Sequence, residues 1–169
     1  MISPENIKQA AKLGAVWSLQ PPIFYNYSSN TAQVWGEEVA QRWSMPTKSL
    51  LDAGVKFSYG ADTHRDPDRQ PMFNFQVLVT RKNKEGKVYG AREKLDRSTA
   101  LLMMTRWGAE YVMREKEIGS LEVGKLADLV VLDKNPLDAS VPDEALSQIR
   151  VLQTIIGGKV AYSSSDLKQ

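Results

Sequence analysis

Cysteine is absent from the 169 residues, which excludes disulfides, thiolate catalysis and cysteine-ligated zinc, and fits either redox compartment. Histidine is nearly absent, with His64 standing alone. No apolar run reaches the roughly 18 residues that a membrane-spanning helix needs, so no membrane partner is expected. The first residues, "MISPENIKQ", lack the basic start and apolar centre of a secretory signal, and the compartment stays open with the cytoplasm favoured. Charge of one sign is missing too: the formal net charge is +2 and both signs interleave, so no basic stripe points to nucleic acid. What is present, 42% apolar and 25% charged residues, describes an ordinary globular chain able to bury a core.

Punctuation residues divide the chain. Ser3 offers a side-chain cap, Pro4 suits the first helical position, and Gly14 closes a helix carrying Ile7, Ala10, Ala11 and Leu13. "AVWSLQ", Ala15 to Gln20, reads as a strand ended by Pro21 and Pro22, which cannot donate ladder hydrogen bonds. A polar, aromatic loop with Tyr25, Tyr27 and Asn30 is expected next, then a helix from Glu37 to Asp52, kinked near Pro46 and ended by Gly54. Val55 to Gly60 is a second strand. Helix, strand, helix, strand at crossover spacing predicts a parallel α/β sheet.

In "PMFNFQVLVTR" the period-two alternation of Phe73, Phe75, Val77 and Val79 favours a strand, although Phe73 with Val77 also suits a helix face. The charged run Lys82 to Lys94 reads as a solvated loop. Asp96 caps a helix in which Leu101, Met104 and Trp107 share a side, with Gly108 as its break and its methionines as core filler. Beyond Ile118, glycine turns at Gly119 and Gly124 precede an apolar strand, Leu129 to Leu132. Gly157-Gly158 then joins Val151 to Ile156 and Lys159 to Tyr162 as a hairpin. There is no internal repeat and no low-complexity tract.

One run carries more than secondary structure. "GSLEVGKLADLVVLDKNPL", Gly119 to Leu137, resembles the C-terminal signature of metal-dependent amidohydrolases, especially the amidohydrolase 3 branch. "ALLMMTRWGAEY", "MPTKSLLDAGV" and "SPENIKQAAKLGAVWSLQP" resemble segments upstream of it in that family, so the likeness covers nearly the whole chain. The resemblance implies a (β/α)8 barrel, a TIM-type fold with catalytic groups at the C-terminal ends of its strands. "VKFSYGAD" then corresponds to the eighth strand, with Asp62 at its tip as general base and metal-site aspartate. The implied cofactor is a divalent metal, zinc foremost, which lowers the pKa of bound water to about 7 and polarises a substrate carbonyl. The implied reaction is hydrolysis of a C–N bond in a small-molecule substrate.

A complete barrel takes about 250 residues, more than this chain has. The family's His-x-His pair, its mid-barrel ligand and its histidines of strands five and six are absent, and His64 cannot replace them. The expected fold is therefore α/β: about the last two barrel strands with their helices over residues 1–117, and β strands of a composite sandwich over 118–169. On this expectation the chain is the C-terminal portion of a longer enzyme, inactive and without bound metal by itself. Two other readings stand beside it. The segment could be a non-catalytic module closing its open sheet by homo-oligomerisation or by docking on another chain, or one half of a split enzyme whose N-terminal barrel portion is a separate polypeptide.

Individual residues keep alternatives. Asp62 could instead cap the following turn or pair with Arg65. His64 is either an exposed loop imidazole or a substrate contact at the barrel mouth. Gln20 either lines the substrate pocket or satisfies a strand end. Asp66 and Asp68 read as loop charges, and Asp128 is expected to hydrogen-bond its own turn.

Overall fold

A computed structural model describes residues 1–62, 67 and 69–168. The first helix, α1 (Pro4–Leu13), forms as its caps dictate: the Ser3 Oγ accepts from the Asn6 N–H, Pro4 opens the helix and Gly14 closes it. It leads into β1 (Trp17–Leu19), and after three further helices β2 (Phe57–Tyr59) pairs with β1 in parallel. Trp17 stands opposite Phe57, Ser18 opposite Ser58 and Leu19 opposite Tyr59.

The stretch after β1 departs from expectation. Residues 21–35 form α2 (Pro21–Trp35) where a loop was expected. Pro21 and Pro22 do end the strand, but they occupy the first helical positions, where a missing N–H costs nothing. Polar side chains that suggested a loop return to the helix instead: the Asn26 Nδ2 donates to the Pro22 carbonyl and the Thr31 Oγ1 to that of Tyr27. The expected kinked helix appears as α3 (Glu37–Trp43) and α4 (Thr47–Asp52), separated at Pro46.

The second correction is α5 (Pro71–Thr80), a helix where alternation favoured a strand. Asn74, Phe75, Val77, Leu78, Val79 and Thr80 are all buried, so this helix is covered nearly all round and shows no one-sided stripe. Its period-two pattern is incidental to full burial, and Pro71 at the helix start is the local cue that prevails.

The charged run 82–94 is also more than a solvated loop. Asn83, Tyr89 and Glu93 are buried, and the Glu93 carboxylate accepts from the Ser49 N–H at 2.9 Å and its hydroxyl at 2.6 Å. The Thr47 hydroxyl donates to the Glu93 carbonyl, so α4 is fastened to this segment at two points. Two short helices follow, α6 (Arg97–Met104), capped by Asp96 as expected, and α7 (Arg106–Tyr111). Their break is at Thr105 (φ −125°, ψ −84°), whose non-helical backbone interrupts the run, and not at Gly108.

A three-stranded antiparallel sheet, β3 (Leu129–Leu132), β4 (Val151–Ile156) and β5 (Lys159–Ser163), closes the chain, with the expected Gly157-Gly158 hairpin between β4 and β5. Asp128 does not bond its own turn; its carboxylate accepts the Gly157 N–H at 2.7 Å and ties the start of β3 to that hairpin. All five residues of β5 are exposed.

The core gathers Phe57, Phe75, Leu78, Met103 and Leu50 between the parallel pair and the helices, and Leu146 from the 3-10 turn Asp143–Gln148 joins it with Ile149, the residue that follows that turn. Each such fully buried side chain contributes about 1.5–3 kcal/mol. Phe57 meets Trp107 edge-on at 5.4 Å, which joins β2 to α7. No helix among the described residues is long and apolar enough to cross a membrane.

Candidate functional site

Parallel pairing brings the C-terminal ends of β1 and β2 side by side, and the ladder continues one step further through the Gly60 N–H to the Leu19 carbonyl at 2.9 Å. In a pleated strand alternate residues share a face, so Ser18 and Gln20 lie on one side, with Ser58 and Gly60 next to them on the neighbouring strand. Gln20 immediately follows β1, and its Nε2 donates to the Ser18 Oγ at 3.1 Å. A Cβ on Gly60 would come within 2.8 Å of the Ser18 Oγ and 3.4 Å of the Gln20 Nε2. Glycine here leaves room for the side chains of Ser18 and Gln20 against the neighbouring strand end.

Asp62 stands three residues beyond β2, exposed, at φ +48°. A non-glycine residue in this left-handed region is uncommon, and aspartate is among the few side chains that adopt it readily. His64 lies outside the described residues, as do Arg65, Asp66 and Asp68. Of the three site residues expected from the sequence, the fold therefore places Gln20 and Asp62 at the same end of the parallel pair.

Below this end the support is aromatic and polar. The Tyr59 hydroxyl accepts from the Asn74 Nδ2 at 3.2 Å, and partial burial pushes the phenol above its ordinary pKa, so it stays protonated at neutral pH. Arg81, at the end of α5, is fully buried and left-handed at φ +59°. Its Nε, Nη1 and Nη2 donate to the carbonyls of Tyr89, Met45 and Ser44 at 3.0, 2.9 and 2.8 Å. Burial pushes this guanidinium down to about 9, partly offset by Glu93, and it remains charged at neutral pH. Sequence reasoning passed over Arg81 because an arginine after an apolar run reads as a surface terminus. The only local cue was that the run "VLVTR" has no polar face.

A metal site needs three or four ligands. Among the described residues no group of three or more His, Cys, Asp or Glu side chains could hold an ion. The described part of this chain therefore does not fit a metal by itself: it brings one carboxylate, Asp62, to the strand ends.

Residues 1–162 match the sequence profile of the amidohydrolase family. The N-substituted formamide deformylase of Arthrobacter pascens is 30% identical over 155 residues, covering 92% of this chain and 28% of the relative. The 5-methylthioadenosine/S-adenosylhomocysteine deaminase of Teredinibacter turnerae is 30% identical over 131 residues, covering 73% of this chain and 29% of its own. Among solved structures, a metal-dependent hydrolase from Pyrococcus furiosus superposes with a TM-score of 0.65 at 24% identity, covering 82% of this chain and 27% of that one. The last likeness concerns the fold. The chain spans less than a third of the length of the sequence relatives it matches.

Proposed function

The chain belongs to the amidohydrolase family, in which a divalent metal is implied, and on that footing we propose that it supplies the closing portion of the catalytic barrel of a C–N hydrolase. In this reading β1 and β2 are the last two barrel strands, residues 118–169 are the chain's share of a composite sandwich, and the metal-binding set is furnished by polypeptide outside these 169 residues. By itself the chain is inactive.

The observation that carries the reading is the position of Asp62, exposed in a left-handed turn just past the end of β2 and beside the end of β1. Parallel strands present their C-terminal ends to bound substrate, and a carboxylate there can take a proton from an attacking water and return it to the departing nitrogen. The C–O bond forms, the C–N bond breaks, and Asp62 ends in its starting state. Gln20, at the neighbouring strand end, contacts the substrate through its carboxamide. His64, which lies outside the described residues, is read as a substrate contact from the family resemblance alone.

The reading is supported by family membership, by the chemistry of the two sequence relatives, whose names denote removal of a formyl group and of an amino group, and by the share of their length that this chain covers. The test is reconstitution. The chain is joined to a polypeptide carrying the rest of the barrel, by fusion or co-expression, and assayed for formamide and aminopurine hydrolysis. Hydrolysis is expected with Asp62 present and a loss of about 10²-fold or more with Asp62→Asn. Equal rates from both proteins would refute the assignment.

A further inference from the structure

Asn74 is an unusual residue for its place. It lies in α5 between Phe73 and Phe75, is fully buried, and carries a side chain that favours neither a helix interior nor an apolar core. Leucine would serve both better, so the reason for an asparagine lies in its hydrogen bonds. Its Nδ2 donates to the Gln70 carbonyl at 2.9 Å and to the Tyr59 hydroxyl at 3.2 Å. A carbonyl oxygen can only accept, which identifies the Asn74 atom facing Gln70 as the nitrogen. The helix itself does not need that bond, because the Asn74 backbone N–H already donates to the same carbonyl at 3.1 Å. What the side chain adds is a link from the start of α5 across to β2.

The two partners stand at opposite ends of the connection that carries Asp62. Tyr59 is the last residue of β2, held by its parallel pairing opposite Leu19, and Gln70 immediately precedes α5. The Gln70 N–H donates in turn to the Pro67 carbonyl at 2.8 Å, so the link extends from α5 back toward Asp62. Apolar packing of Phe75 and Leu78 holds α5 in the core but is non-directional, whereas the Asn74 bonds fix how the start of α5 sits against the end of β2. Asp62 is exposed at φ +48°, a sparsely populated region that persists where the surrounding chain determines it.

We propose that Asn74 is a positioning residue for Asp62: by joining the Tyr59 hydroxyl to the Gln70 carbonyl it fixes both ends of the connection on which Asp62 stands, and so holds the Asp62 carboxylate in its left-handed turn. That this carboxylate is a general base rests on the hydrolase reading above; that Asn74 sets its backbone does not.

The test begins with the full 169-residue chain in solution. The distance from a residue's amide proton to its own Hα is shorter at positive φ than in extended or right-handed backbone, so the nuclear Overhauser effect between them reports the left-handed state of Asp62. Met113, at φ +57° and far from Asn74 in sequence, is the internal control. Tyr59→Phe removes one end of the link and Asn74→Leu removes both donations while keeping a side chain of similar size. Each is expected to reduce the Asp62 effect to about half or less, as the left-handed state gives way to commoner regions, with that of Met113 unchanged. If Asn74→Leu does not fold, Tyr59→Phe decides alone. An unchanged Asp62 effect in Tyr59→Phe, or a loss shared equally by Met113, would overturn the proposal. In the reconstituted hydrolase, Tyr59→Phe is expected to lower kcat by about tenfold or more with KM altered less than about twofold, since a displaced catalytic group costs turnover and not binding. A parent that turns over and a Tyr59→Phe protein that matches its kcat overturn the positioning and leave the hydrolase reading standing. A parent that fails to turn over removes the hydrolase reading, and the Asp62 backbone signal still decides the role of Asn74.

Discussion

The Arg81 guanidinium carbon lies 3.9 Å from the centre of the Phe24 ring, inside the core and between two elements far apart in sequence. A guanidinium is more weakly hydrated than an ammonium and its flat face suits an aromatic ring, so arginine can be buried where lysine cannot. Three backbone carbonyls complete its shell, and those of Ser44 and Met45 belong to the turn between α3 and α4. Met45 itself is held at φ +51°, a conformation that needs such an anchor.

Arg81→Met is expected to cost about 3 kcal/mol or more, because three buried carbonyls lose their donors at once. Arg81→Lys should recover little of this, since one ammonium cannot span the three acceptors. Urea unfolding checks it through a lowered midpoint at unchanged slope. The pH dependence has a definite sign. Below about 9 the side chain is charged in both folded and unfolded states, so Arg81 adds no slope to stability between pH 6 and 8. Parent and Arg81→Met should run parallel in that window; diverging curves would contradict a buried charged guanidinium.

Gly60 has no need of left-handed backbone, so alanine there tests space alone. Gly60→Ala should cost about 1–3 kcal/mol through the Ser18 hydroxyl. Adding Ser18→Gly should restore most of it, as coupled neighbours do. If the two changes prove additive in thermal melts, the close packing of Gly60 against Ser18 is not the cause.

The signature that marks the family has a local physical content. Gly119 and Gly124 share φ +91°, but a Cβ at Gly119 would fall 2.5 Å from that of Ala109 while one at Gly124 meets nothing within 4 Å. Gly124→Ala should therefore cost only backbone strain, about 1 kcal/mol, and Gly119→Ala should cost at least about 2 kcal/mol more. Denaturant midpoints of the two variants decide between this and a purely conformational role for both.

Asp96 caps α6 through the Thr99 hydroxyl at 2.6 Å and its N–H at 2.9 Å, and these bonds hold the carboxyl below its ordinary pKa. A depressed folded pKa means stability that is present above the unfolded value, about 4, and is lost as pH falls through the folded one. Asp96→Ala should cost about 1 kcal/mol at pH 7. The difference should shrink as the pH falls below about 4 and on through the folded pKa; a constant difference down to pH 2 would remove the carboxylate from the explanation.

Much of this was legible in the sequence where one residue type has one physical use. Ser3-Pro4 and Gly14 bound α1, Asp96 begins α6, and Gly157-Gly158 turns the hairpin, because caps and tight turns are decided within a few residues. The stretch 71–80 misled because apolar alternation is informative only when one face meets water, and α5 has almost none that does. Pro21-Pro22 serves equally as the end of a strand and the start of a helix, and only the packing of Phe24 and Ser28 chooses. The position of Asp62 and Gln20 at the ends of the parallel strands was visible through resemblance and strand position. Arg81 was not, since its role depends on contacts with Met45, Ser44 and Phe24, 36 or more residues away.

The most direct test of the central claim, that this chain presents Asp62 to a catalytic site whose metal-binding groups lie elsewhere, is the metal content of the purified 169-residue chain after dialysis against zinc. The account predicts far less than one equivalent of tightly held divalent ion, unchanged by Asp62→Asn. One equivalent that survives dialysis and is lost in Asp62→Asn would contradict it.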